Sequence, residues 1–336
     1  MTRTFDIAVI GATGSVGEAL VQVLEERDFP LANLHLLASG DSAGRSVAYK
    51  GRNLRVRALD TFDFSSVRLA FFAADPAVTR ASFEAVQAAG CALIDLSGAL
   101  PVAQAPRVVP EVNPESLEAL AAPYYLSSPA APVVAISLAL AALRPLLDLR
   151  RVTVNASLAV SSRGREGVSE LARQTAELLN GRSFEPRLFD RQMAFNVLAQ
   201  VDAVDADGHG AFERRVSDEL KGLLAIAGLH VSVACQQVPV FFGDSLSLSL
   251  QSGSAVDVAK ARAALQAAAG IEFIEAGDFP TAVGDAVGQD AVYVGRVRGG
   301  LDDTSELNLW IVSDNVRKGA ALNAVQLAEL LIKHYL

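Results

Sequence analysis

The stretch Phe5-Asp6-Ile7-Ala8-Val9-Ile10-Gly11-Ala12-Thr13-Gly14-Ser15-Val16-Gly17 decides the fold. A compact apolar strand runs into three glycines at G-x-x-G-x-x-G spacing. Ser15 to Glu26 follows, with Val16, Ala19, Leu20, Val23 and Leu24 on one face of a helical period. Strand, glycine turn and helix in direct succession are the context a dinucleotide-binding loop requires. Glycines permit a tight turn and close backbone approach, and amides at a helix N-terminus can receive a pyrophosphate. Gly11, Thr13, Gly14, Ser15, Val16 and Gly17 are therefore candidate cofactor contacts, the Thr13 and Ser15 hydroxyls adding polar groups. A plain strand-to-helix turn is the competing reading, and three glycines in register favour the nucleotide.

Outward from the loop, Leu34 to Ser39 reads as a second strand ending in Ser39-Gly40-Asp41-Ser42-Ala43-Gly44-Arg45. That is where a ribose 2'-hydroxyl or 2'-phosphate is read. An acidic side chain hydrogen-bonds ribose hydroxyls and repels phosphate, so Asp41, with Ser39 and Ser42 beside it, favours NAD over NADP. Arg45 argues the reverse, and Asp41 as an ordinary solvated turn residue beside Gly40 stands as an equal alternative. Further on, strand Leu69 to Ala73, helix Pro76 to Ala89, stop Gly90 and strand Cys91 to Leu96 repeat the alternation that builds a doubly wound α/β sheet. Beyond Pro129 the strands lengthen: Val152 to Val160, Val231 to Val240 and Asp244 to Leu250 suggest an α+β domain with a mostly antiparallel or mixed sheet. Val201 to Gly210 reads as a surface loop.

Composition bounds the partners. A length of 336 residues suggests two domains at about 150 residues each. Hydrophobic residues form 51% and charged residues 20% of the chain, enough apolar surface to exclude general disorder. Lys and Arg total 29 against 38 Asp and Glu, a net charge of -9 with no basic tract, so nucleic acid is not an expected partner. Two cysteines, Cys91 and Cys235, are too few for a disulfide scaffold, which favours a reducing compartment. Met1 to Ile10 lacks the apolar core of a signal peptide, and the longest apolar run, Val133 to Leu143, is too short to cross a bilayer. The expectation is a soluble cytoplasmic protein without membrane attachment. His35, His209, His230 and His334 have no second ligand at metal spacing, so no metal site is expected.

The glycine loop, Leu37 to Arg45, Val108 to Asn113, Cys235 to Ser245 and the block Ser313-Asp314-Asn315-Val316-Arg317-Lys318-Gly319-Ala320-Ala321-Leu322-Asn323-Ala324 together resemble the aspartate-semialdehyde dehydrogenase family, in the family's order. The resemblance implies a Rossmann-type dinucleotide-binding domain over residues 1–129 plus 315–336 and a substrate and dimerisation domain over 130–314. It also implies a homodimer, NAD or NADP as cofactor with NAD favoured, and Asn315 as a further cofactor contact.

In that family an acyl phosphate is reduced to aspartate semialdehyde through a thioester on a cysteine, with a histidine as acid and base. The nucleophile motif falls on Ser128-Pro129-Ala130-Ala131-Pro132-Val133, which puts Ala131 at the cysteine position. Leu158 stands where the family keeps a glutamine, Gln237 where it keeps the arginine for the substrate carboxylate, and Asp244 where it keeps the histidine. Pro101 replaces a phosphate-binding arginine and Arg214 a phosphate-binding lysine. Losing a nucleophile or its base costs on the order of a millionfold in rate, about 8 kcal/mol of barrier. Asp244, read as an exposed carboxylate with a pKa near 4, is a poor substitute base.

The resemblance thus implies a Usg-type branch of the family, folded and dimeric but without semialdehyde dehydrogenase activity. Two other functions stand beside it: an NAD-dependent oxidoreductase of altered substrate, and a regulatory or heteromeric partner of an active relative.

Overall fold

Side chains along the first strand alternate between two cores. In β1 (Phe5–Ile10), Phe5, Ile7 and Val9 join one apolar cluster while Ala8 and Ile10 join another. A strand buried on both faces reads as a continuous apolar run and belongs in a parallel sheet covered by helices. The computed structural model describes residues 4–336, so the part of the Met1 to Ile10 reading that concerns residues 1–3 lies outside the described residues. It divides into two units, Met1–Pro129 with Ala320–Leu336, and Ala130–Gly319.

The first unit continues through α1 (Ser15–Glu26), β2 (Leu31–Ala38), a hairpin of β3 (Ser46–Tyr49) and β4 (Arg52–Arg55), β5 (Arg57–Ala58), β6 (Leu69–Phe72), α2 (Pro76–Ala88), β7 (Ala92–Asp95) and β8 (Tyr125–Ser127). The six-stranded sheet runs β5-β2-β1-β6-β7-β8 with every pairing parallel. Strand order reverses at β1, so the crevice between the ends of β1 and β6 is the topological switch point where such sheets bind ligands. Leu20, Val23 and Leu24 of α1 and Leu327 and Leu331 of the C-terminal helix fill one core, and Val86 of α2 helps fill the other. Asp75 caps α2 by accepting the Ala77 amide at 2.7 Å. The second strand begins at Leu31, three residues before the apolar pattern suggests, because Ala32 and Asn33 are exposed and carry no burial signal.

The second unit comprises α3 (Ala131–Leu143), β9 (Leu149–Leu158), α4 (Gly164–Leu179), α5 (Ala211–Leu224), β10 (His230–Gln237), β11 (Asp244–Ser252), α6 (Val258–Ala267), β12 (Ile271–Phe273), β13 (Val292–Gly299) and β14 (Glu306–Ser313). Its sheet runs β10-β9-β11-β14-β13-β12 and is mixed, with β10 to β9 and β12 to β13 parallel and the remaining pairs antiparallel. Helix α3 is apolar on all sides, and every residue from Pro132 to Leu140 is buried among α5, α6 and strands β13 and β14.

Alternation again sorts the sheet: Val152, Val154, Ala156, Leu246, Leu248, Leu250, Leu307 and Leu309 are buried. Thr153, Asn155, Ser157, Ser245, Ser247, Ser249 and Asn308 point to the opposite face and are half-buried or exposed. The last helix, α7 (Asn323–His334), belongs to the first unit, where Asn323 Nδ2 donates to Ser128 Oγ at 2.8 Å and Val108 O at 3.3 Å. Among the described residues no helix is long and apolar enough to cross a membrane.

Candidate functional site

The glycine loop sits at the switch point of the first unit. Gly11 has φ +80°, and a Cβ there would lie 2.3 Å from Ala73 O, just past β6. A Cβ on Gly17 would lie 2.1 Å from Gly11 O. Both positions therefore need glycine for close approach, one between loops and one between loop and helix. Gly14 is the N-cap of α1 and supplies no side-chain cap, leaving first-turn amides open to an anion. Thr13, Ser15 and Val16 are half-buried around this turn. Gly40 to Ser42 form a 3-10 turn after β2, in which Ser39 and Asp41 are exposed and Ser42 is half-buried. The loop thus sets a tight glycine turn and an uncapped helix start at the switch point, with the Asp41 carboxylate exposed at the end of β2.

A second loop of this unit, residues 95–101, is wound around buried Asp95, whose carboxylate accepts from the Ser97 amide and hydroxyl and from the Leu100 amide. Arg107 braces it from beneath, donating to Leu100 O at 2.7 Å, Ala105 O at 2.9 Å and Gly98 O at 3.3 Å. Pro101 is exposed at the loop's end.

In the second unit the ends of three adjacent strands bring Leu158, Gln237 and Asp244 together. Gln237 pairs with Leu158 in register and its buried amide donates to Leu158 O at 2.7 Å and Ser162 Oγ at 3.3 Å. Asp244 Oδ1 accepts the Ala159 amide at 3.0 Å. Asn315 ties the same region: its Oδ1 accepts the Gly243 amide at 3.0 Å, and its Nδ2 donates to Ser161 Oγ at 3.0 Å. Both ends of the Asn315 amide are thus engaged inside the second unit.

Asp244 corrects an expectation. It is buried, not exposed, and burial together with the nearby Asp314 charge pushes its pKa up to about 7, against the opposing pull of the Ala159 hydrogen bond. Alternation along β11 turns Asp244 inward with Leu246 and Leu248, a consequence of strand register that residue type does not disclose.

Ala131 begins α3, half-buried, and its methyl packs on Gly319, where a Cβ would come within 2.5 Å. Glu219 of α5 accepts the Ala130 amide at 2.7 Å and pairs with Arg215 at 2.9 Å, setting a carboxylate at the start of α3. Arg214, by contrast, turns to the Val201 to Gly210 loop, pairing with Asp205 and, at 3.5 Å, with Asp207. Arg215, one residue on, instead reaches the start of α3 indirectly, through Glu219 and the Ala130 amide. Helical spacing could have found it, since Arg215 and Glu219 are four apart on one face. Cys91 and Cys235 are buried, and desolvation pushes both thiols up to about 12. Among the described residues no group of His, Cys, Asp and Glu could hold a metal.

Comparison with known proteins agrees with this layout. Residues 6–120 match "Semialdehyde dehydrogenase, NAD binding domain", and residues 140–318 match "Semialdehyde dehydrogenase, dimerisation domain". A "USG-1 protein homolog" of Azotobacter vinelandii is 62% identical over 333 residues, covering 99% of each chain. The structure of a probable aspartate-semialdehyde dehydrogenase from Pseudomonas aeruginosa superposes with TM-score 0.97 at 59% identity, covering 99% of this chain and 100% of that one. Aspartate semialdehyde dehydrogenase II from Vibrio cholerae gives TM-score 0.96 at 37% identity, with the same coverage. Matched over nearly its whole length, with an NAD-binding unit before a dimerisation unit, the chain belongs to the semialdehyde dehydrogenase family.

Proposed function

We propose that this chain is a homodimeric, dinucleotide-binding member of the family in which the thioester route is closed. One observation carries the reading: Ala131 occupies the start of α3, where the resemblance puts the nucleophile, and offers a methyl group packed on Gly319. No thiol substitutes, since Cys91 and Cys235 are buried in the two units' interiors. Leu158, Gln237 and Pro101 remove further polar handles for an acyl phosphate. A bound nicotinamide dinucleotide supplies hydride exchange, and the residues of the first unit offered for it are Gly11, Thr13, Gly14, Ser15, Val16, Gly17, Ser39, Asp41 and Ser42, while Asn315 holds Gly243 and Ser161 in the second unit. The exposed Asp41 carboxylate favours NAD over NADP.

Dimerisation is assigned to the open face of the second sheet. Thr153, Asn155, Ser157, Ser245, Ser247 and Ser249 form a polar surface there whose centre carries no charge, with Arg151 and Glu306 along one edge. For a chain of net charge -9, such a face brings two copies together with little repulsion. The deciding experiment assays semialdehyde, phosphate and either cofactor, alongside calorimetry with NAD and NADP. The reading expects NAD binding without turnover; turnover within a hundredfold of an authentic family enzyme sinks it.

Asp244 favours a second reading, an oxidoreductase that takes an alcohol proton directly onto a carboxylate whose pKa of about 7 suits general-base work at neutral pH. Reduction of NAD by small hydroxy acids, lost in Asp244→Asn, supports it; no reduction with any of them refutes it.

A further inference from the structure

The segment Gln192 to Leu198 is held rigidly yet displays apolar side chains to water. Gln174, fully buried on α4, accepts the Met193 and Ala194 amides at 2.7 and 3.1 Å. Gln174 is fixed in turn by donating to the buried Glu170 at 2.8 Å. Met193 and Ala194 complete a small core with Val160 and Leu171. On the other side of the tip, Asn196 Nδ2 donates to Gln192 O at 2.9 Å and Asn196 Oδ1 accepts the Val197 amide at 2.9 Å.

Between these clamps Phe195 has φ +58°, a left-handed conformation strained for a bulky side chain, and it is 66% exposed. Val197 is 54% exposed. Burying these groups would stabilise the isolated chain, whereas the buried Gln174 clamp and the exposed Asn196 clamp hold them out. An aromatic side chain on a preorganised loop loses little freedom when a partner covers it, which is the character of an interface anchor.

The occupant follows from continuity. Leu198 pairs antiparallel with Gln237, each donating an amide to the other's carbonyl, so the segment extends the sheet beyond its edge strand β10. The adjoining open face, with its Ser- and Thr-rich centre, is the surface already assigned to dimerisation. The loop also lies within the residues matching the dimerisation domain.

We propose that Phe195 is the anchor of the homodimer, each copy seating its Phe195 on the other at the rim of the open sheet faces. This rests on the homodimeric reading above. Sedimentation equilibrium of the full chain tests it with wild type, Phe195→Ala and Phe195→Gly, and with Ser247→Arg at the centre of the face. The expected result is a wild-type dimer whose dissociation constant rises at least tenfold in Phe195→Ala with unchanged circular dichroism. Phe195→Gly should weaken the dimer equally while raising the melting midpoint of the monomeric Ser247→Arg background, because glycine relieves the left-handed backbone. A dimer that Ser247→Arg breaks and Phe195→Ala leaves unchanged overturns the anchor and keeps the homodimer. A wild-type monomer throughout overturns both.

Discussion

Asp244 and Ala159 meet through one hydrogen bond, the Ala159 amide donating to Asp244 Oδ1 at 3.0 Å. That is little compensation for a buried carboxylate. Asp314, whose charge bears on it, accepts three amides, from Gly288, Val316 and Arg317. Burial and the neighbouring Asp314 charge together disfavour the ionised form of Asp244.

Stability should fall as pH rises through neutrality. The folded-state pKa of Asp244, about 7, lies above its ordinary value of 3.8, so the folded chain holds a proton that the unfolded chain has released. Stability is greatest below the unfolded value and is lost as pH climbs to the folded one, a difference on the order of 4 kcal/mol. Asp63, Asp205 and Asp257, held low by hydrogen bonds from Ser65, the His209 amide and the Lys260 amide, act in the opposite sense only below about pH 4. Urea titrations from pH 5 to 8 should show the decline in wild type and a flatter profile in Asp244→Asn. An unchanged slope in the variant would refute this assignment.

Asp244 also marks where sequence reading stops. The switch-point loop was legible because Gly11 and Gly17 are glycines for steric reasons, and the sheet classes were legible because period-2 patterns differ between strands buried on both faces and on one. Burial at a strand end is set by register across β9, β11 and β14, which a linear pattern does not encode. The same holds for Arg214 and Arg215: adjacent residues of one type, separated only by which face of α5 meets α3.

Gly17→Ala should disable the loop. Its Cβ would enter within 2.1 Å of Gly11 O and 2.8 Å of Ala12 Cα, both backbone atoms that cannot swing aside. Gly40→Ala is the matched control, since a Cβ there meets nothing within 4 Å. The first should lower thermal stability and reduce NAD affinity more than tenfold by calorimetry, while the second leaves both near wild type. Equal behaviour of the two variants would separate the loop from nucleotide binding.

Glu219 should prove costly to remove. Its side chain is 5% exposed, accepts the Ala130 amide and pairs with Arg215. Glu219→Ala breaks a buried ion pair and strips an acceptor from the start of α3, which should cost about 3–5 kcal/mol in urea denaturation. Glu219→Gln keeps an acceptor for the amide and should cost less. A loss below about 1 kcal/mol in the alanine variant would place this pair among weak surface bridges.

Thiol chemistry gives the most direct check on Ala131. Burial pushes the Cys91 and Cys235 thiols up to about 12, so the native wild type should resist a thiol-reactive disulfide reagent and yield two thiols only after denaturation. Ala131→Cys should add one thiol that reacts without denaturation, because position 131 is half-buried and the N-terminus of α3 favours a thiolate, although the Glu219 carboxylate at the same helix start opposes it. Semialdehyde dehydrogenase turnover should stay absent in that variant, since Gln237 and Asp244 still occupy the neighbouring strand ends. Adding Gln237→Arg and Asp244→His tests whether the retained framework supports the reaction. Activity in Ala131→Cys alone would show that Asp244 serves as the acid and base, and would replace the closed-route reading with one in which only the nucleophile is missing.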